Sequence, residues 1–361
     1  MLEPSISAAL VTNILKSVRN MTMRKLFLLF LLLVTPALSA CAVNTHLGKR
    51  DLQRIAGKTY VVTGASSGFG RGVAEMLGRE RANVVLAARR ANVLEEVAAV
   101  IRASGGQALV MPTDVSDPAQ VERLARETVA RFGRIDVWIN DAAVGTIGRF
   151  EEIPIADHAR AVDVNLKGVI YGSHHAVRQF KAQGQGVLIN LGSVESQAPL
   201  AYHASYSATK AGIWALGRAM NEELRKAGYK KRIQVVTIMP WAADTPFWDH
   251  AANYSGHKGR MAALDPPEKV VQAIVWASLH PREEVPVGWK AQAVSTFHTI
   301  TPDLVEAVSG NIVHAEQMRK ASPQAPGPGS MHAPMAEGTT VDGGVRARME
   351  AEDRAREARP K

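Results

Sequence analysis

The chain has 361 residues, 46% hydrophobic and 21% charged, enough apolar material for one substantial core, which excludes a disordered or fibrous polymer. Its net charge of +9 is scattered among acidic residues without a long basic run interleaved with aromatics, so a single-stranded nucleic-acid surface is excluded. One cysteine, Cys41, excludes an intramolecular disulfide and a cysteine-built metal site, and His174, His175 and His203 lack metal-ligand spacing, so no metal is expected and these histidines read as structural or solvated.

In chain order, Arg24 and Lys25 precede an apolar run over 26–34, then Thr35, Pro36 and Leu38-Ser39-Ala40-Cys41, the pattern of a signal with a small-residue processing site. The tetrapeptide resembles the lipobox of bacterial lipoprotein precursors, which implies lipidation of Cys41 and firm anchoring by several acyl chains. An uncleaved anchor over 26–43, or translation beginning at Met21 or Met23, are equally open readings of these residues. The expectation is a signal or anchor segment over 1–41, membrane attachment through it, and a linker over 42–57.

Beyond Lys58, short β-branched runs at 60–63, 83–88, 108–111, 137–140, 187–191 and 234–238 alternate with helical patterns at 70–81, 93–103 and 118–132, the last capped by Ser116 and Asp117. Strand and helix at this spacing predict an α/β doubly wound parallel sheet of Rossmann type, helices on both faces, in one domain over 58–288. A helix over 302–320 belongs to a C-terminal extension, 289–321. The composition then shifts to Ser, Pro, Gly and charged residues, predicting a disordered tail over 322–361.

The first strand leads into Thr63-Gly64-Ala65-Ser66-Ser67-Gly68-Phe69-Gly70 and a helix, the turn at which backbone amides face a phosphate. A bare glycine-rich pattern is weak, but this one lies in a strand-turn-helix context. Arg89 ends the second strand, where an acidic residue would accept from ribose hydroxyls and an arginine can grip a 2′-phosphate. That favours NADP(H) over NAD(H); Arg90 reads as a solvated neighbour. Asp114, at the end of the third strand, reads equally as a cap or as a neighbour of the adenine.

Downstream, Tyr206 and Lys210 stand four apart in Tyr206-Ser207-Ala208-Thr209-Lys210, so both project from one helix face and the ammonium can favour the ionised phenol. Alone, the pattern is common and an amphipathic helix with a snorkelling lysine would explain it. Together with the glycine loop, Ser193 thirteen residues before Tyr206, and Asn165 in Val164-Asn165-Leu166-Lys167-Gly168, it resembles the short-chain dehydrogenase/reductase family over 58–288. The resemblance implies that Tyr206 is the general acid/base, that Ser193 orients the substrate oxygen, and that Lys210 lowers the tyrosine pKa and contacts the nicotinamide ribose. It implies that Asn165 holds a water leading to solvent. It further implies cofactor contacts at Gly64, Ser66, Ser67, Gly68, Phe69, Gly70, Asp114, Asn140, Ala142, Tyr206, Lys210, Pro240 and Thr245, and a homo-oligomer. Departures from the family pattern are Asp141 and Ala143, where it has Asn and Gly, and Trp241, where it has Gly.

The expected activity is NADP(H)-dependent hydride transfer to a carbonyl or from a secondary alcohol. A non-catalytic cofactor-binding protein, or a membrane-attached scaffold on the same fold, is the alternative. Trp241, Phe247, Trp248, His250, Tyr254 and His257 follow the sixth strand and suit an apolar or ring-bearing substrate, or simply pack that loop. Glu195, two residues after Ser193, is expected to face the pocket and to disfavour an anionic substrate.

Overall fold

The computed structural model describes residues 44–358. The expected segment at 1–41, with Cys41, lies outside the described residues. Seven parallel strands form the main sheet in the order β3-β2-β1-β4-β6-β7-β9: β1 (Thr59–Thr63), β2 (Asn83–Ala88), β3 (Gln107–Pro112), β4 (Val137–Asn140), β6 (Gly186–Leu191), β7 (Ile233–Pro240) and β9 (Glu284–Val287). The last strand was not among those expected. A separate two-stranded piece pairs β5 (Thr146–Ile147) with β8 (Ala252–Asn253).

Strands buried on both faces need apolar side chains at every position, and this explains the unbroken runs that mark them in the sequence. In β1, Tyr60 and Val62 join one core with Val84 and Leu86, while Val61 joins the other with Val85 and Ala87. The first core is covered by α2 (Gly68–Arg79), α3 (Ala91–Ala103) and, later in the chain, α9 (Pro267–Leu279), through Val73, Leu77, Leu94, Ile101 and Ile274. The second is covered by α4 (Pro118–Phe132), α6 (Gly168–Gln183) and α7 (Ala204–Lys226), through Leu124, Ala176, Phe180 and Leu224. Asp117 caps α4, its carboxylate accepting from the amides of Ala119 and Gln120.

The strand order reverses between β1 and β4, so the crevice for a ligand opens beyond their C-terminal ends. Two sequence expectations are corrected. The supposed linker over 42–57 includes a short helix, α1 (Lys49–Gln53), and Ile55 is fully buried in the first core. The described part of the supposed disordered tail is ordered, with residues 322–344 running back over the body into α12 (Val345–Glu357). Its cohesion comes from two fully buried apolar anchors, Met331 and Val345, and from hydrogen bonds and ion pairs, not from a periodic apolar face. Arg260 is the main tie, donating to Glu316, Glu352 and, with both Nη2 contacts, to Asp353. The extension before it contains α10 (Gly288–Ile300) and α11 (Pro302–Val313), then a π-helical stretch to Lys320. Among the described residues no helix is long and apolar enough to cross a membrane.

Candidate active site

The turn between β1 and α2 is set by two glycines. Gly64 has φ +74°, and a Cβ there would lie 2.9 Å from the Ala142 amide nitrogen. At Gly70 a Cβ would fall 2.5 Å from the Gly64 carbonyl oxygen, so the loop closes on itself as well as toward a ligand. Thr63 Oγ1 accepts from the amides of Asp141 and Ala142, tying β1 to the end of β4. Ser66, Ser67, Gly68 and Phe69 line the crevice with Ala142, Ala143, Pro240, Trp241 and Thr245. Asn140 is buried in the sheet, where its amide reaches Asn190 Oδ1 at 2.9 Å and its Oδ1 accepts from the Trp138 indole, so its side chain supports the crevice from below.

At the end of β2, Arg89 and Arg90 both face the crevice. The reading of Arg90 as merely solvated is corrected: it donates to Ser66 Oγ at 3.0 Å and Ser67 Oγ at 2.9 Å, in the glycine turn. Burial, with repulsion from Arg89 and Arg71, pushes Arg90 below its ordinary pKa. Asp114 accepts from Ser116 and from Arg160 Nη2 at 2.6 Å; burial pushes its pKa up, but these bonds outweigh that and hold it low.

At the other end of the crevice, β6 delivers Ser193 and α7 delivers Tyr206 and Lys210. Ser193 and Tyr206 both line this end of the crevice, and Ser193 Oγ accepts from the Glu195 amide. Lys210 Nζ donates to the Leu191 carbonyl at 2.6 Å and sits 5.4 Å from the centre of the Tyr206 ring. Burial lowers the Lys210 pKa to about 8, against the attraction of Asp141 and Glu195. Burial and the negative charges of Glu195 and Asp141 raise the Tyr206 pKa well above the ordinary phenol, against the lowering effect of Ser193. The chain's own groups therefore favour the protonated phenol; the lowering expected from the sequence rests on Lys210 together with the oxidised nicotinamide.

Asn165 lies in a π-helical turn, Asp163–Lys167. Its Nδ2 donates to the Val144 carbonyl and Thr209 Oγ1, and its Oδ1 accepts from the Val144 amide. Both amide donors are thus engaged in tying the loop after β4 to α7. Asp141, at the family's asparagine position, is partly buried beside the loop; desolvation raises its carboxyl to about 7, against Lys210 and the Gly70 amide.

Glu195 does face the crevice, and its carboxylate accepts from Ser207 Oγ at 2.6 Å and pairs with His203 Nδ1 at 3.1 Å. His203 is accordingly a buried partner of that carboxylate. Of the aromatic segment, Trp241, Phe247, Trp248 and His250 line the crevice, with the Phe247 ring 5.4 Å from that of Tyr206. Tyr254 instead donates to Asp157, and His257 folds against Ser255. Residues missed by the sequence reading are Leu200 and Met261, which add apolar lining, and Ser330, Pro334 and Met335 from the C-terminal segment. Nothing local in the sequence marks the last three. Among the described residues no cluster of potential ligands could hold a metal ion.

A doubly wound sheet with a glycine-built phosphate turn at one end of its crevice and a Ser-Tyr-Lys cluster at the other defines a class: dinucleotide-fold oxidoreductases. The short chain dehydrogenase family model matches residues 58–254, and the chain belongs to that family. It is 31% identical over 272 residues to the uncharacterized oxidoreductase YxnA of Bacillus subtilis, covering 74% of this chain and 76% of that protein. Among solved structures, a metagenomic short-chain oxidoreductase in complex with NADP is 28% identical, with TM-score 0.54, covering 64% of this chain and 96% of that one. A short chain dehydrogenase/reductase of Burkholderia phymatum in complex with NAD shares the fold at 24% identity and TM-score 0.62, covering 70% of this chain and 96% of that one.

Proposed function

We propose that this protein is an NADP(H)-dependent oxidoreductase that moves a hydride between the nicotinamide and a carbonyl or secondary alcohol carbon, with Tyr206 as proton donor and acceptor. The observation that carries this reading is the convergence of Ser193, Tyr206 and Lys210 in the crevice that the glycine turn and Arg89 open into. Those groups suit a dinucleotide: amides at the start of a helix for the pyrophosphate, two guanidiniums for a 2′-phosphate, and an ammonium within reach of ribose hydroxyls. When bound, the cofactor supplies or accepts the hydride.

In the reducing direction, Ser193 Oγ and the Tyr206 hydroxyl hold the carbonyl oxygen. Negative charge develops on that oxygen as the carbon is reduced, and the Tyr206 proton passes to it, leaving a phenolate that Lys210 stabilises. In oxidation the phenolate takes the proton back. Asn165 acts by position, fixing the helix that carries Tyr206 and Lys210.

The lining by Leu200, Trp241, Phe247, Trp248 and Met261 supports an apolar or cyclic substrate, and the buried Glu195 carboxylate works against an anionic one. The test is NADPH oxidation, followed by nicotinamide absorbance, against aliphatic, cyclic and acidic ketones. Turnover of neutral apolar ketones with little of keto acids is expected. Tight NADPH binding with no turnover of any carbonyl compound would favour the non-catalytic reading.

A further inference from the structure

Residues 328–344 cross the nucleotide end of the crevice and touch it chiefly through backbone carbonyls. Ser330 O accepts from Arg89 Nη2 at 2.6 Å, and Met331 O accepts from Arg89 Nη1 at 3.4 Å and Arg160 Nε at 3.3 Å. Met335 O and Glu337 O each accept from Arg90 Nη1 at 3.2 Å. Thr339 O takes Arg71 Nη1 at 2.8 Å, and Thr340 O takes the Gly68 amide at 2.9 Å. The Gly68 amide opens α2, and Arg89 and Arg90 are the cations at the end of β2.

Of these, Gly68, Arg89 and Arg90 line the crevice and are donors that a dinucleotide's phosphates need. A carbonyl oxygen carries the same sign of partial charge as a phosphate oxygen, so the two cannot share one donor at these distances. We propose that residues 328–344 are an intramolecular strap occupying the phosphate-binding groups of the cofactor site, and that the dinucleotide binds only when the strap is released. The proposal rests on the reading of this crevice as an NADP(H) site.

The strap is built to be held and let go as a unit. At one end Met331 is fully buried, and the Ser330 amide and hydroxyl donate to the His250 carbonyl. At the other, the Asp244 carboxylate accepts from the amides of Val345 and Arg346 at 2.7 and 3.1 Å, capping α12 from a distant part of the chain. Between these anchors the segment is pinned in part to the site's own donors and in part by His332 on Asp157 and by His250 on the Glu337 carbonyl. A ligand that takes the site's donors therefore removes the ties at Met335, Glu337 and Thr340. If the strap is closed about nine-tenths of the time, it weakens apparent cofactor affinity about tenfold.

The experiment uses the full chain. Hydrogen exchange is measured over 328–346 with and without saturating NADP⁺, and the affinities of NADP⁺, 2′,5′-ADP and 5′-AMP are compared in wild type, Met331→Asp and Val345→Glu, which loosen different anchors. The expected result is faster exchange at the Ser330, Gly343 and Val345 amides on binding NADP⁺, and about tenfold tighter binding of NADP⁺ and 2′,5′-ADP in both variants. Slower exchange with weaker binding in the variants would make the segment a closing lid and overturn the proposal, as would no change in either. A gain shared by 5′-AMP, with no preference for 2′,5′-ADP in any form of the protein, would keep the strap and refute the 2′-phosphate reading.

Discussion

Replacing Arg89 by alanine tests the choice between NADP(H) and NAD(H). The guanidinium now donates to two neutral carbonyls, Ser330 O and Met331 O. A 2′-phosphate would replace these with a charge-assisted contact worth about 1.5–3 kcal/mol in all. At about 1.4 kcal/mol per tenfold, Arg89→Ala should weaken NADPH binding by roughly 10- to 150-fold. NADH, without the 2′-phosphate, should not lose this contact. The strap opposes the loss, because removing Arg89 also removes two of its tethers and so favours both cofactors by the same factor. The ratio of the NADPH and NADH dissociation constants cancels that factor and is the quantity to measure, by titrating both against wild type and variant. Arg90→Ala should move the two constants together in part, since Arg90 also braces Ser66 and Ser67 in the pyrophosphate turn. Equal affinities in the wild type, or an unchanged ratio in Arg89→Ala, would refute the assignment.

Lys210→Ala should lower turnover and weaken cofactor binding together. Because the Lys210 ammonium is charged only below about pH 8, wild-type cofactor affinity should fall as pH rises through that value, with the variant flat in direct titrations. The Asp141 carboxyl, raised to about 7, costs stability that is absent below the unfolded value near 4 and complete above pH 7. Asp141→Asn should therefore stabilise the fold by about 1–3 kcal/mol at about pH 8 and by little at about pH 4, read from urea midpoints; a gain independent of pH would contradict the cause given. If Cys41 carries a lipid, Cys41→Ser should accumulate as an unprocessed precursor on a gel, whereas an uncleaved anchor would be indifferent to the change; wild-type protein wholly in the soluble fraction would exclude both.

The strands were legible because burial on both faces makes most of their positions apolar and β-branched, and the glycine turn because its backbone geometry admits few residues. Tyr206 and Lys210 could be paired because four residues span about one helical turn. The strap was illegible for the complementary reason. Its bonds are made by backbone carbonyls, which every residue has, and its partners, Arg89, Arg90 and Gly68, are more than two hundred residues away. Only Met331 and Val345 are fully buried in it, too few to give a period. The Arg90 misreading has the same origin: its role depends on Ser66 and Ser67 folding toward it, which no local pattern in β2 records. The raised phenol pKa likewise depends on Glu195 and Asp141, brought to Tyr206 from the ends of β6 and β4.

If Tyr206 supplies the proton, loss of its hydroxyl alone should nearly stop reduction. Tyr206→Phe keeps the ring against Phe247 and removes only the hydroxyl. With folding checked by circular dichroism and cofactor affinity by titration, single-turnover reduction of a ketone accepted by the wild type should slow by about two to four orders of magnitude. A rate close to wild type, with fold and cofactor binding intact, would contradict the mechanism.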